Sequence, residues 1–312
     1  RETALRRTLD NLPYSDVNIL ATVERGPTNS AEYGLVKDVV SKQLDRQLGS
    51  LLLDRIRVGK TATFFLTPPG REEFAGDDNA RTYFAFLPHL SEHTSILPGG
   101  RAPAPQVLNT LDEPLVLEAL IPEEAAQLFG AEVGDRFSAV THWDDAIPYV
   151  TVVVSGVVHK NNASANIWHL DQAVLGAATG PSFNTIPFYI SEDTFLQVLG
   201  PAFRHMESQY GWLLLVDTGG IDAGNAADVR SRLGDMKSKI TALFSSYDQE
   251  TGLSRALSEY DRRIFFIKLP MFVVLILIAL VVLYYVATLS SLAVEQRRGE
   301  MALLRSRGAT SG

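Results

Sequence analysis

The sequence predicts an α+β protein: a mixed, two-lobed domain, then a single helix of transmembrane length and a short basic tail. Three observations carry this. Alternating and β-branched runs, such as YVTVVVSGVV at Tyr149–Val158, predict strands. Other stretches hold apolar residues at three-to-four spacing and predict helices. From Leu269 to Val294 there is no charged residue. At ~1.5 Å per residue that run clears the ~30 Å hydrocarbon layer of a bilayer. The core helix of a soluble protein rarely stays apolar on every side for so long.

The elements follow in order. Arg1–Asn11 is polar and helix-compatible, and Val17, Ile19 and Ala21 alternate as a strand. Asn29 and Ser30 are N-caps for a helix predicted over Ala31–Ile56, with Leu35, Val36, Val39, Val40, Leu44, Leu48, Leu51 and Leu52 as its core-facing positions. Thr61–Leu66 and Thr82–Leu87 form a strand pair, and the Pro/Gly-rich Leu97–Gln106 is a connector. Pro114–Leu120 is a strand, Pro122 opens a short helix to Phe129, and Gly130 caps it. Val133–Asp135 turns the chain into strands at Arg136–Val140 and Tyr149–Val158. Asn161–Ser182 is an irregular loop with a helical piece; Thr185–Ile190 and Trp212–Asp217 are further strands. Ser191 and Glu192 cap a helix through Leu199, and Asn225–Ser245 is helical on Val229, Leu233, Met236, Ile240 and Leu243. Leu253, Leu257, Tyr260, Ile264 and Ile267 then give an amphipathic helix running into the apolar one, with a kink expected at Pro270. The resulting domains are 1–252, holding a small β-rich subdomain about 100–190, a stalk helix at 253–268, the membrane helix at 269–294 and the tail at 295–312.

Composition excludes several function classes. The 312 residues, 46% hydrophobic and 21% charged, suit one or two folded domains. Net charge is −8, and the last eighteen residues carry four Arg and two Glu, so the acidity lies ahead of the tail. An acidic surface of this kind does not attract nucleic acid. With no cysteine, disulfides, thiolate zinc sites and a cysteine nucleophile are excluded. The chain opens at Arg1 without an apolar leader and ends abruptly at Gly312; a domain carried across a membrane is expected to follow a leading segment. Arg255, Arg262, Arg263 and Lys268 before the apolar run match Arg297, Arg298, Arg305 and Arg307 after it, so charge alone does not orient it. Tyr284 and Tyr285 suit an interface between lipid and water.

Candidate chemistry is sparse. His89 and His93 stand four apart but in a turn-rich segment without the H-E-x-x-H order, so a metal site is not expected. His142, Asp144 and Asp145 form a polar loop with too few converging oxygens for an ion. Asn162–Ser164 matches a glycosylation acceptor, a pattern too common to weigh. Nucleophile-elbow, S-x-x-K and phosphate-loop patterns are absent. No catalytic residue, metal or cofactor is expected in this chain.

The tail, VEQRRGEMALLRSRGATSG, is the most specific segment. It resembles the stretch after the second transmembrane helix of FtsX-like permeases, the MacB-type ABC transporter subunits. Glu295, Arg297, Arg298, Glu300, Met301, Leu303, Leu304, Arg305, Gly308 and Ala309 match that pattern, while Arg307 stands where an apolar residue is usual. GGRAP at Gly99–Pro103, PEEAAQLFGAEVGDRFSAV at Pro122–Val140 and the following VVVSGVVHKN resemble the MacB-like periplasmic domain; Arg1–Leu97 matches nothing.

The resemblance implies a non-catalytic half-permease in the plasma or inner membrane, with its main domain extracytoplasmic and its tail in the cytoplasm. A separate cytoplasmic ABC ATPase subunit would hold the ATP, beside a second permease half and membrane lipid. Arg297, Arg298, Glu300 and Arg305 are the expected ATPase contacts. The implied task is mechanotransmission, moving or exporting an extracytoplasmic lipid, lipoprotein or peptide. Two other readings stand: a sensor or adaptor signalling through one helix, and a membrane-tethered hydrolase that would lose activity on replacing His89 or His142.

Overall fold

The computed structural model describes residues 2–106, 115–143, 145–162, 164–169, 178–179 and 183–306; from 296 on it describes the backbone alone. Contacts divide the chain into a folded unit, Glu2–Leu257, and a second unit from Ser258 onward.

The folded unit is built on twelve described strands: β1 (Ile19–Gly26), β2 (Leu52–Thr61), β3 (Phe64–Thr67), β4 (Ala80–Phe86), β5 (Thr94–Ile96), β6 (Val116–Pro122), β7 (Arg136–Val140), β8 (Tyr149–Lys160), β9 (Ala178–Thr179), β10 (Asn184–Tyr189), β11 (Ser208–Val216) and β12 (Tyr247–Glu250). They pair in the order β12-β1-β11-β2-β4-β3-β7-β8-β6-β10-β9, with β5 on β8, and β10 returns to pair β4 in parallel. That return closes β4, β3, β7, β8, β6 and β10 into a ring, while β12, β1, β11 and β2 stay an open sheet. Where the sequence predicts two lobes, Glu2–Leu257 is one compact unit whose ring and open sheet share strand β4, and the ring draws on 64–86 as well as 116–189.

Register explains how the ring fills. Phe64 lies opposite Thr82, Leu66 opposite Ala139, Ala139 opposite Val150 and Phe84 opposite Phe188, so these side chains share the inner face. Phe64, Phe84 and Phe188 are fully buried, with Phe64 edge-on to Phe84 at 5.4 Å and Phe84 stacked on Phe188 at 6.2 Å. A closed ring has no strand edge of its own to protect. Its buried Thr82 Oγ1 donates to the Ile186 carbonyl at 2.9 Å, so the dry interior leaves no lost hydrogen bond there.

Two helices, over residues 30–48 and 226–241, cover one face of the open sheet. Helix α1 is Glu2–Asp10, α2 is Ser30–Leu48, α3 is Glu123–Phe129, α4 is Ala226–Thr241 and α5 is Leu253–Ser306. Asn29 caps α2 by accepting from the Glu32 N–H at 2.9 Å. Tyr33, Val36, Val40, Leu44 and Leu48 are buried, each contributing about 1.5–3 kcal/mol by leaving water. The helix predicted to Ile56 stops at Leu48. Gly49 and Ser50 interrupt it, and Leu52–Ile56 is taken up by pairing with β11. Leu35, expected in the core, is 68% exposed. The single-turn helix Tyr14–Val17 holds Val17, so β1 begins at Ile19, and β12 lies where no strand was expected.

The GGRAP segment is a structural strap. Gly99 sits at φ +92°, and a Cβ on Gly100 would come within 2.8 Å of the Gly156 Cα. That close approach lets the Arg101 N–H reach the Ser155 carbonyl at 2.8 Å. The Arg101 guanidinium grips both oxygens of Glu118 on β6, and Glu118 also accepts from the Ala104 N–H at 2.9 Å. Gly130 ends α3 at φ +61°, as its capping position requires.

The second unit continues α5, which runs unbroken through Pro270 to Ser306.

Candidate functional site: an open sheet face and a bare apolar helix

Two features stand out. The first is the sheet face that the helices leave uncovered. In β1, Ile19, Ala21 and Val23 are buried under the helices, whereas Leu20, Thr22 and Glu24 point the other way. Register then sets out cross-strand rows on this second face. One row runs Asp248, Thr22, Gly211, Val58; another runs Gln209, Lys60, Ala85, Tyr189. They floor an open trough of about 1060 Å³. One wall is Ser15, Asp16, Thr251, Gly252 and Arg255, the last in the first turn of α5. Trp168 stands at the far end beside Tyr83 and Tyr189, its indole N–H held by the Asn162 carbonyl at 2.6 Å.

The trough is acidic at one end and aromatic at the other. Asp16, Glu24, Asp248 and Glu250 line it against two cations, Lys60 and Arg255. Asp248 is held below the usual carboxylate range by the Gln249 backbone N–H and by Lys237, at 3.1 Å. Lys60 rests over the Tyr83 ring, 5.8 Å from its centre. On the covered face, burial pushes the Tyr33 hydroxyl up and Tyr210 up to about 12, so neither titrates near neutrality. Arg57 donates to Tyr33 Oη at 2.9 Å and to Glu192 at 2.8 Å, an arrangement that packs the core.

The second feature is the apolar part of α5. It is long and apolar enough to cross a membrane, and none of that stretch is buried within the protein. Tyr284 and Tyr285 lie on it, both more than half exposed. The backbone of Arg297, Arg298, Glu300 and Arg305 is helical, and their side chains lie outside the described residues, as does all of Arg307.

The histidine candidates do not assemble. His89 adopts φ +63° and meets Glu92 at 2.8 Å on the surface, while His93 lies edge-on to Trp168. His142 packs against Trp143 and Phe65; Asp144 lies outside the described residues. Asp145 is enclosed, accepting from the Trp143 indole at 3.3 Å and the His205 N–H at 3.1 Å. Asn162 accepts from the Ser164 N–H at 2.9 Å, and Ala163 between them lies outside the described residues. Among the described residues no group of three or more acidic or histidine side chains is placed to hold a metal. The trough escaped the sequence reading because its residues come from six strands; the one available signal was Gly211, inside an otherwise apolar strand.

No protein-family model matches this chain, and no curated protein does. Among solved structures, it is similar to a domain, from Porphyromonas gingivalis, of a protein assigned as a permease. The identity is 12%, the match covers 77% of this chain and 90% of that one, and the TM-score is 0.29. A superposition that loose bears on neither fold nor function.

Proposed function

We propose that this chain is part of an FtsX-like ABC permease: the extracytoplasmic domain, the membrane helix that follows it and the start of the cytoplasmic segment that meets the ATPase. The observation that carries the reading is α5. An apolar face with no protein against it needs lipid or a partner helix to cover it. The same helix begins at the domain and ends in the segment that resembles the permease pattern. Its 54 residues span about 80 Å at ~1.5 Å each.

In this mechanism a cytoplasmic ATPase dimer, closing on ATP, pushes on Arg297, Arg298, Glu300 and Arg305. The helix carries the movement outward as a rigid element, and the domain answers by gripping or releasing its substrate. Arg255 lies on the helix and lines the trough, so a ligand there touches the moving part directly. Nothing in the chain needs to be catalytic, and ATP belongs to the partner.

Purification from the membrane in mild detergent tests this. A stoichiometric ATPase subunit, lost with Arg305→Glu, is the expected result. Recovery without an ATPase gives the chain to the sensor reading. Hydrolytic activity abolished by His89→Ala or His142→Ala gives it to the hydrolase.

A further inference from the structure

We infer that α5 carries a collar of cations, Arg262, Arg263 and Lys268, that binds the phosphates of anionic phospholipid in the leaflet at the start of the apolar run. This rests on the reading above only in that the helix lies in a bilayer; no ATPase, second permease half or transported substrate is needed for it.

Charge comes first. From Arg262 to Val294 the helix holds these three cations and no carboxylate. Arg262 and Arg263 are exposed, Lys268 is partly exposed, and among the described residues none of the three has a partner. Glu259 stands one turn earlier; even were it to swing onto one arginine, two cations would remain. In a protein of net charge −8, a positive stretch without acids of its own attracts an anion from outside.

Direction separates lipid from a protein partner. At ~100° per residue the three side chains leave the helix about 100–140° apart. A partner protein meets a helix on one side, whereas a layer of headgroups surrounds it. Beyond Tyr260 no described side chain of α5 is buried, so none of these directions is covered by the protein itself.

Depth agrees. Phe265 and Phe266, between the cations, are more than half exposed. At ~1.5 Å per residue that pair lies about 28 Å along the helix from Tyr284 and Tyr285, close to the ~30 Å hydrocarbon layer. With the tyrosines at one water interface, the phenylalanines reach the edge of the other. Arg262 and Arg263 then stand about a turn outside that edge, at the depth of the phosphates. Lys268, just inside it, can extend its long stem back to the same layer. Guanidinium groups take phosphate oxygens in pairs, and phosphatidylcholine offsets its own phosphate with choline, so net charge selects anionic lipid.

The test puts a reporter in the collar: Phe266→Trp in the full chain, reconstituted in phosphatidylcholine vesicles. Quenching by dibrominated phosphatidylglycerol is compared with quenching by dibrominated phosphatidylcholine at equal mole fraction. The signal of the chain without the reporter, from Trp143, Trp168 and Trp212, is subtracted. The tail arginines begin about 45 Å further along the helix, beyond the short reach of bromine. Phosphatidylglycerol is expected to be preferred about fivefold or more at low salt, and less as salt rises. Arg262→Gln with Arg263→Gln is expected to bring the preference within about twofold, and Lys268→Gln alone to reduce it by about half. Equal quenching by the two lipids, or a preference that survives the paired substitution, overturns the inference and leaves the helix in its bilayer. Quenching by neither lipid overturns it in favour of a protein covering the collar. A preference abolished by inorganic phosphate, but not by sodium chloride of equal ionic strength, overturns it in favour of free phosphate. Copurification of an ATPase is a separate measurement, so the inference and the permease reading fail separately.

Discussion

The closed ring and the open sheet share strand β4, yet they end in opposite ways. The ring turns Phe64, Phe84, Ile186 and Phe188 inward and finishes its packing within itself. The open sheet finishes one face with α2 and α4 and leaves the other to a trough floored by Thr22, Gly211 and Lys60. The difference teaches where this domain can afford variation. A self-filled ring is a rigid frame; a half-covered sheet on the same frame is a surface free to meet something else.

Substitutions can break that comparison, the largest effect first. Phe188→Ala opens a cavity in the ring and is expected to cost about 3–5 kcal/mol, read as a fall in the denaturant midpoint. If the loss matched that of a surface substitution, the ring would not be the frame. On the covered face, Arg57→Ala leaves the Tyr33 hydroxyl and a partly buried Glu192 without their donor. A loss of about 1–3 kcal/mol is expected by the same measurement, and Arg57→Lys should recover part of it.

The strap is weaker and acts through pH. The Arg101 guanidinium, first, and the Ala104 N–H hold the Glu118 carboxyl below its usual range. A carboxylate depressed in the folded state adds stability above its unfolded pKa and loses it as pH falls through the folded value. Melting curves in acid should therefore fall less steeply for Glu118→Gln than for the parent, with only a small loss at neutral pH. Smallest of all, Glu24→Gln together with Glu250→Gln should leave unfolding within about 0.5 kcal/mol of the parent. A larger loss would mean the open face belongs to the frame.

How much was legible beforehand varied by element. The helix expected over Asn225–Ser245 forms over Ala226–Thr241 with Val229, Leu233, Met236 and Ile240 buried, because one-sided burial imposes its period, whereas Leu243, expected on the same stripe, lies past its end and is exposed. The turn at Gly130 and the strand expected over Tyr149–Val158, which runs on to Lys160, were equally plain. The end of α2 was not: Leu51 and Leu52 continue the helical spacing, and only pairing of β2 with β11 turns them into strand. Strand β12, with its sequence YDQE, carries no apolar alternation and exists because β1 had an edge to pair. The GGRAP strap was visible as a motif, but its purpose, bringing two backbones together at Gly100 and Gly156, required the fold.

By itself the sequence determined the long apolar helix, the acidic balance ahead of it and the absence of thiol chemistry. These are properties of consecutive residues, and a bilayer or a helix period reads residues in order. Only the tertiary structure decided that the β-rich lobe closes through the parallel pairing of β10 with β4, and that Thr22, Gly211, Val58 and Asp248 share one row. Cross-strand neighbours far apart in the chain leave no local period, because register is fixed by packing against the rest of the molecule.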